Sequence, residues 1–585
     1  MSSILCRPRS PAARAATAAG LAVLAAALSI LPGLGRAPFD DPGEGMHAEI
    51  ARELGHSRDP FALTLGGVRY VDKPPLLYAL LATAFALAGP GEAAARAVPA
   101  LAALAAVAAT AWLGARLLGP RGGLLAGLAL ATSPGFFAFA RYVRPESLFV
   151  AALAWGFALC LTGLADGRRG RVAAGLGAFG LAALAKDPLG ALAPPLVLGA
   201  ALALGGGARP LARWLPWPGV AAGAVLGFGW WLLAERRTPG VLWYTLVDNH
   251  LLNVLGARRF PDEDVPLGAA TFLAVALLGA APWALAAGVA VVALVRRRAW
   301  RDPAELPWVA LALWTLGVLG ATLVSRFRLP HYGLPAYFAI ALLAARAWES
   351  RAARGLAWTH AVLLAALAAA CALAWAGDGG ARVLADVLGA TDVATRKSAL
   401  AGAAAPVPPW PAFRPLVGAT ALALGLGVVA LAACAAVRPL ARRGAAVLAV
   451  VATLAGVLPS VAAALALVSA HRAAAGVGRA IARAAGPGDV VVHEGPLENS
   501  GALEWYAGRR PAIVDGRVSV LAFGALRPEA RERFWDEARL RQAWGAGRVW
   551  LVSVRPPERS VAGRLPGARL LASTGGRWLW GNGPP

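Results

Sequence analysis

The sequence predicts a mainly α-helical, polytopic membrane bundle of about 13 spans that carries a small C-terminal α/β domain. Three observations predict it. Of 585 residues, 58% are hydrophobic and 15% charged, with mean hydropathy +0.59, whereas a soluble domain carries roughly 25% charge. Apolar runs long enough for the ~30 Å hydrocarbon core recur from residue 14 to about residue 470. From about residue 473 they give way to short segments separated by turn residues.

Taken in order, residues 14–33 follow Arg7, Arg9 and Arg14 and lack a small-residue cleavage site, so they read as an uncleaved first span. Arginine clusters then fix the topology, because cytoplasmic loops are enriched in Lys and Arg. "DGRRGR" (166–171), "ARPLAR" (208–213), "RRRAWR" (296–301), "RAWESRAAR" (346–354) and "RPLARR" (438–443) are placed inside. The spans become 14–33, 97–115, 121–138, 146–165, 171–185, 188–205, 216–234, 267–295, 306–324, 332–349, 357–376, 415–437 and 444–470. Parity requires that 75–89, which opens at Pro74-Pro75, lie at the interface or re-enter rather than cross. The membrane domain is then 1–472, with outward loops 34–96, 139–145, 235–266, 325–331 and 377–414. Residues 473–585 form the outer domain. In it, "GDVVVHEG", "RPAIVDG" and "GRVWLVSV" read as short strands and "LRPEARERFWDEARLRQAW" as an amphipathic helix. Glu494, Glu498 and Asp515 read as a solvated rim.

The net charge of +24 does not imply nucleic acid. The basic residues sit in short clusters between apolar runs instead of along one soluble face. Only three of the 56 are lysines (Lys73, Lys186, Lys397), which makes each worth placing. The four cysteines form no CxxC pair, so neither a disulfide framework nor a cysteine zinc site follows.

Ionisable residues collect in the outward loops, where membrane proteins keep them for function. The first loop carries Asp40, Asp41 and Glu44 at the start of a helix-like stretch, then Asp72 and Lys73. The second carries Arg141, Arg144 and Glu146, and "ALAKDPLG" adds Lys186 and Asp187. Asp248, Asn249, His250, Arg258 and Arg259 follow, then Arg326, Arg328, His331 and Tyr332. Carboxylates and cations on one side of one bundle suit a reaction between a lipid-linked phosphate and a polar acceptor. The cations neutralise a phosphate leaving group and a carboxylate takes the proton of an attacking hydroxyl.

The segments "EGMHAEIAREL", "GVRYVDKPPLLYALL", "ARYVRPESLF", "LAKDPLG", "GAAPWAL" and "SRFRLPHYGLP" occur in an order that resembles bacterial aminoarabinose transferase-like proteins. Those are grouped with the protein O-mannosyltransferases in the GT-C glycosyltransferase superfamily. The resemblance covers residues 14 to about 350 well and the remainder through topology. It implies a GT-C-type bundle and an inverting transfer of a sugar from a polyprenyl-phosphate carrier to a lipid, glycan or protein acceptor. That transfer would occur on the outer face of a bacterial inner membrane.

The family's Asp-Glu pair reads Gly43-Glu44 here, so Glu44 or Asp41 takes the acid–base role, and the second-loop carboxylate is Glu146. By the same resemblance Lys73, Arg258 or Arg259, and Arg326 or Arg328 contact the carrier phosphate. Asp72, Arg141, Arg144, Lys186, His250, His331 and Tyr332 support the site. His250 could join Asp72 at a divalent metal, but a histidine beside one carboxylate is more often its hydrogen-bond partner, so no cofactor is assigned. Lys397 looks incidental. A transporter or flippase of lipid-linked sugars would line the bundle interior with charge, and an inactive envelope scaffold would fit the missing aspartate.

Overall fold

The computed structural model describes residues 11–583 apart from Arg58, Pro60 and residues 206–215, 401–405 and 437–442. The arginine cluster at 208–213, and 438–442 of the last one, lie outside the described residues. Among the described residues eight helices are long and apolar enough to cross a membrane, or nine with one bent pair. The fold is the helical membrane bundle with a C-terminal sheet that the composition implied. The helical stretch Glu92–Ala131 spans 40 residues in two arms. It folds back at Gly119, whose φ of +82° lies in the left-handed region that favours glycine, just before Pro120. Small residues let its arms pack tightly. A Cβ on Gly127 would lie 2.7 Å from the Ala22 methyl and 2.8 Å from that of Ala111, so only glycine admits this approach.

Several expected boundaries shift. The stretch 121–138 is interrupted: one helix ends at Ala131 and another runs Pro134–Ala140. A residue before proline avoids the helical region, so Ser133 (ψ 116°) restarts the chain. The stretch 267–295 is two helices, Ala269–Gly279 and Trp283–Arg296, bent by 102°. Pro282 lies at that break and cannot donate a backbone N–H. Within 377–414, expected to be loop, lie the helices Gly380–Thr391 and Val393–Leu400. Leu76–Ala88 is a short apolar helix of 13 residues.

A small hairpin pairs β1 (Thr64–Leu65) with β2 (Val68–Arg69). The C-terminal sheet contains β3 (Val490–Glu494), β4 (Ala512–Val514), β5 (Phe534–Trp535), β6 (Val549–Ser553), β7 (Arg569–Thr574) and β8 (Arg577–Gly581). Its order is β5-β4-β3-β6-β8-β7. The first four are mutually parallel, and β8 and β7 close it antiparallel. Near-continuous apolar runs such as Val490–Val492 suit strands covered on both faces. Residues 526–544 are not one helix. Phe534 is buried in β5, opposite Ile513, and the helix Glu537–Ala546 begins only after Asp536 accepts the Arg539 N–H at 2.7 Å.

Nor are Glu494 and Glu498 a solvated rim. Both are buried, and Glu494 accepts from Ser560 Oγ at 2.6 Å and the Val561 N–H at 2.7 Å. Asp515 is the exposed member.

The sheet region shares a core with the first long loop. Phe39, Leu65, Tyr70 and Leu77 pack with Leu497, Ala502, Ile513 and Phe534. The two rings of Phe39 and Trp505 meet edge-to-face at 5.1 Å. The same end of the bundle therefore carries the first loop and the C-terminal sheet.

Candidate active site

The helix Glu44–His56 starts the site, with Glu44 in its first turn where a carboxylate complements the helix dipole. Glu44 is buried and fully engaged. It accepts from Arg96 Nε at 2.8 Å, Arg96 Nη2 at 2.5 Å, the Asp40 N–H at 3.0 Å and the Val143 N–H at 3.0 Å. Asp41 is buried too, accepting from the Ala474 N–H at 2.9 Å and the Ala502 N–H at 3.1 Å. Burial pushes its carboxyl up to about 6. Asp40 binds Arg472 and takes the Tyr142 hydroxyl at 2.5 Å. That hydroxyl lies 2.0 Å from where a Cβ on Gly43 would be, so Tyr142 fills the side-chain space at position 43.

A second cluster lies across the bundle end. Glu146, at the first turn of Glu146–Ala165, has Arg144 Nε, Lys186 Nζ and His331 Nε2 each 3.4 Å from its oxygens. Among the described residues neither Glu146 oxygen nor Arg144 Nε has a hydrogen-bond partner, although Glu146 is only 2% exposed. Lys186 also lies 5.5 Å over the rings of Phe149 and Tyr332, a cation–π arrangement. Burial, with Arg144 nearby, pushes His47 down to about 3 and His331 well below the usual imidazole range, so both rings are neutral. His47 is hydrogen-bonded to the Tyr78 hydroxyl at 2.9 Å.

Asp72 pairs with Lys73 and accepts from Asn249 Nδ2 at 2.8 Å. Burial would raise its carboxyl, but Lys73, Arg258 and Asn249 bring it down to about 2. Asn249 comes from a π-helical turn, Tyr244–Leu252, a form common at functional sites. Asp248 in that turn is fully buried and accepts the Arg259 N–H at 2.5 Å and Arg258 Nε at 3.4 Å. Arg258 also reaches Asp262 at 3.0 Å.

Lys73, Arg144, Lys186 and Arg258 therefore share one field with Asp72 and Glu146. Other expected residues go elsewhere. Arg141 donates to the Ile30 and Pro32 carbonyls, and Arg259 lies 5.3 Å over the Trp243 ring. Arg326 reaches the Leu255 carbonyl at 3.4 Å, and Arg328 those of Leu267 at 3.1 Å and Leu323 at 3.2 Å. His250 binds the Thr245 carbonyl at 2.6 Å and lies 4.0 Å from Asp187. Asp72 and His250 thus take different partners and do not offer a shared ligand set.

Sequence reasoning missed His47, and it wrote off Lys397, whose Nζ lies 3.0 Å from Asp264. For Lys397 the available signal was the rarity of lysine in the chain. For His47 it was the helical spacing from Glu44.

Residues 72–232 match the family described as Dolichyl-phosphate-mannose-protein mannosyltransferase. No curated protein matches the chain in sequence. Among solved structures, ArnT from Cupriavidus metallidurans bound to undecaprenyl phosphate aligns with TM-score 0.75 and 21% identity, covering 97% of this chain and 99% of that one. Its apo state aligns with TM-score 0.76 and 22% identity, covering 97% and 98%. The chain has an ArnT-like fold. Contacts of Glu263 with Asn499 and Arg555 set the segment that carries Arg258 against the C-terminal sheet region of this multi-pass membrane chain.

Proposed function

We propose that this protein is an inverting glycosyltransferase that moves a sugar from a polyprenyl-phosphate carrier to an acceptor hydroxyl or phosphate. The acceptor class is lipid A, an envelope glycan or a protein. The observation that carries the reading is the half-buried set of Lys73, Arg144, Lys186 and Arg258 beside Asp72 and the buried carboxylate of Glu146, which accepts no hydrogen bond among the described residues, within a GT-C fold. In the reaction the bond from the anomeric carbon to the phosphate oxygen breaks and its electron pair leaves on the phosphate, which the cations neutralise. The acceptor oxygen forms the new bond from the opposite face. Where the acceptor is a hydroxyl, its proton passes to Glu146, whose oxygens face Arg144, Lys186 and His331 at 3.4 Å but accept no hydrogen bond among the described residues. Glu44 and Asp41 hold the platform, because Arg96 and backbone N–H groups already occupy their oxygens.

The protein sits in the bacterial inner membrane with its N-terminus cytoplasmic and residues 473–585 periplasmic. Alkaline phosphatase fusions should be active after residue 470 and inactive after residue 298; the reverse pattern removes the substrate from the site. The activity test is transfer of label from a radiolabelled polyprenyl-phosphate sugar by purified protein. Transfer that survives in both Lys73→Ala and Arg258→Ala would refute the reading. One observation favours a second reading, an inactive scaffold: Tyr142 closes position 43 to any carboxylate. Absence of donor turnover with intact donor binding selects it.

A further inference from the structure

The run Asp262-Glu263-Asp264 places three acids side by side, which repel unless each finds a cation or donor. Each finds one on a different element. Asp262 pairs with Arg258 at 3.0 Å within its own segment. Glu263 takes Asn499 Nδ2 at 3.1 Å and Arg555 Nη1 at 3.3 Å, both from the C-terminal sheet region. Asp264 takes Lys397 Nζ at 3.0 Å from the helix Val393–Leu400. Asp264 also donates its N–H to Asp262 at 3.0 Å, so the outer two acids are mechanically linked. Arg396 adds a 3.4 Å bond to the Val265 carbonyl. Burial would discharge the Lys397 ammonium, but Asp264 and then Glu498 hold it charged. Asp248 anchors the other end of the segment through Arg258 and the Arg259 N–H.

We propose that Lys397 is a positioning residue for carrier binding: acting through Asp264 and Asp262, it fixes the guanidinium of Arg258, with Asn499 and Arg555 clamping the same segment from the C-terminal domain. The inference rests on the reading that Arg258 meets the carrier phosphate. A two-point clamp matters because a long arginine side chain must otherwise lose rotamer freedom when the phosphate arrives. Lys397→Met keeps the length and removes the charge, while Lys397→Arg restores a cation.

The test uses the full chain in nanodiscs, with polyprenyl phosphate alone as the binding probe and the polyprenyl-phosphate sugar for kinetics. Lys397→Met should raise the probe Kd and the donor KM about tenfold, with kcat and acceptor KM within about twofold; Lys397→Arg should recover most of the loss. Asp264→Asn should match Lys397→Met, and the double variant should be no worse than either single. Glu263→Gln, on a partly exposed side chain, should weaken the probe about threefold and serves if Lys397→Met fails to fold. Unchanged probe Kd in Lys397→Met and Glu263→Gln, with Arg258→Ala strongly impaired, overturns the positioning role alone. If Arg258→Ala itself binds the probe like wild type, the carrier-site reading has failed instead. A lower Tm with unchanged KM assigns Lys397 to stability only and also overturns the proposal.

Discussion

Glu44→Gln separates a structural acid from a chemical one. Glu44 is 1% exposed and accepts four hydrogen bonds, two of them charge-assisted from Arg96. The amide retains one acceptor oxygen, and its NH2 would face the Arg96 Nη2–H or the Asp40 N–H, a donor against a donor. Arg96 is itself only 5% exposed, so its charge loses its one carboxylate among the described residues without gaining water. Breaking a buried pair from one side costs about 3–5 kcal/mol. Thermal unfolding followed by intrinsic tryptophan fluorescence in detergent should therefore show Tm lower by several degrees. The folded fraction should keep kcat within a few-fold. Glu146→Gln should do the opposite in kinetics: loss of the group that takes the acceptor proton lowers kcat by about 10²–10⁴-fold. A Glu44→Gln protein with wild-type Tm and kcat reduced more than a hundredfold would refute this assignment and return the acid–base role to Glu44.

Gly43→Ala keeps an allowed backbone (φ −82°) but drives a methyl into Tyr142, whose hydroxyl lies 2.0 Å from the new carbon. It should cost about 1–3 kcal/mol of overpacking, and a variant as stable as wild type would show that Tyr142 yields freely. The buried acids withdraw stability as pH rises from about 5 to 8, whereas the neutral His47 and His331 add stability as pH rises toward the ordinary imidazole range. The acid contribution is therefore read as the difference between wild type and Glu498→Gln. Burial raises Asp41 to about 6 and Glu498 to about 7, so the native state holds protons that the unfolded chain has released. Unfolding midpoints across that range test the sign, and Glu498→Gln should remove roughly 3 kcal/mol of the slope, at 1.36 kcal/mol per pKa step. A stability difference between Glu498→Gln and wild type that does not grow in the variant's favour with pH contradicts it. Lys73→Met should raise donor KM at least tenfold with Tm near wild type, because Lys73 is 20% exposed and its partner Asp72 keeps Asn249.

The helical membrane bundle was legible because apolar length is a local property, but where about 13 spans were expected eight or nine helices among the described residues are long and apolar enough to cross, since kinks and breaks divide the apolar runs. The breaks at Ser133–Pro134 and Ala281–Pro282 were also written locally, as prolines, but a continuous hydropathy window passes over a single residue. The site was legible only as a pool of charged groups. Which acids are committed depends on partners far away in sequence: Glu44 on Arg96, 52 residues later, and Asp41 on backbone N–H groups of residues 474 and 502. Glu146 differs from Glu44 in having cations nearby without hydrogen-bond geometry, which no spacing rule encodes. Lys397 became visible only when the helix Val393–Leu400 was set against the outer loop.

The partners of Asp40 and Asp41 impose an order on synthesis. Asp40 finds Arg472 across 432 residues, and Asp41 waits for residues 474 and 502. At about 5–20 residues per second, these acids remain without their final partners for tens of seconds after leaving the ribosome. The first loop can therefore settle only when the chain has been delivered through residue 502. A chain interrupted before that point carries two acids in contact with water that a finished chain has sealed away.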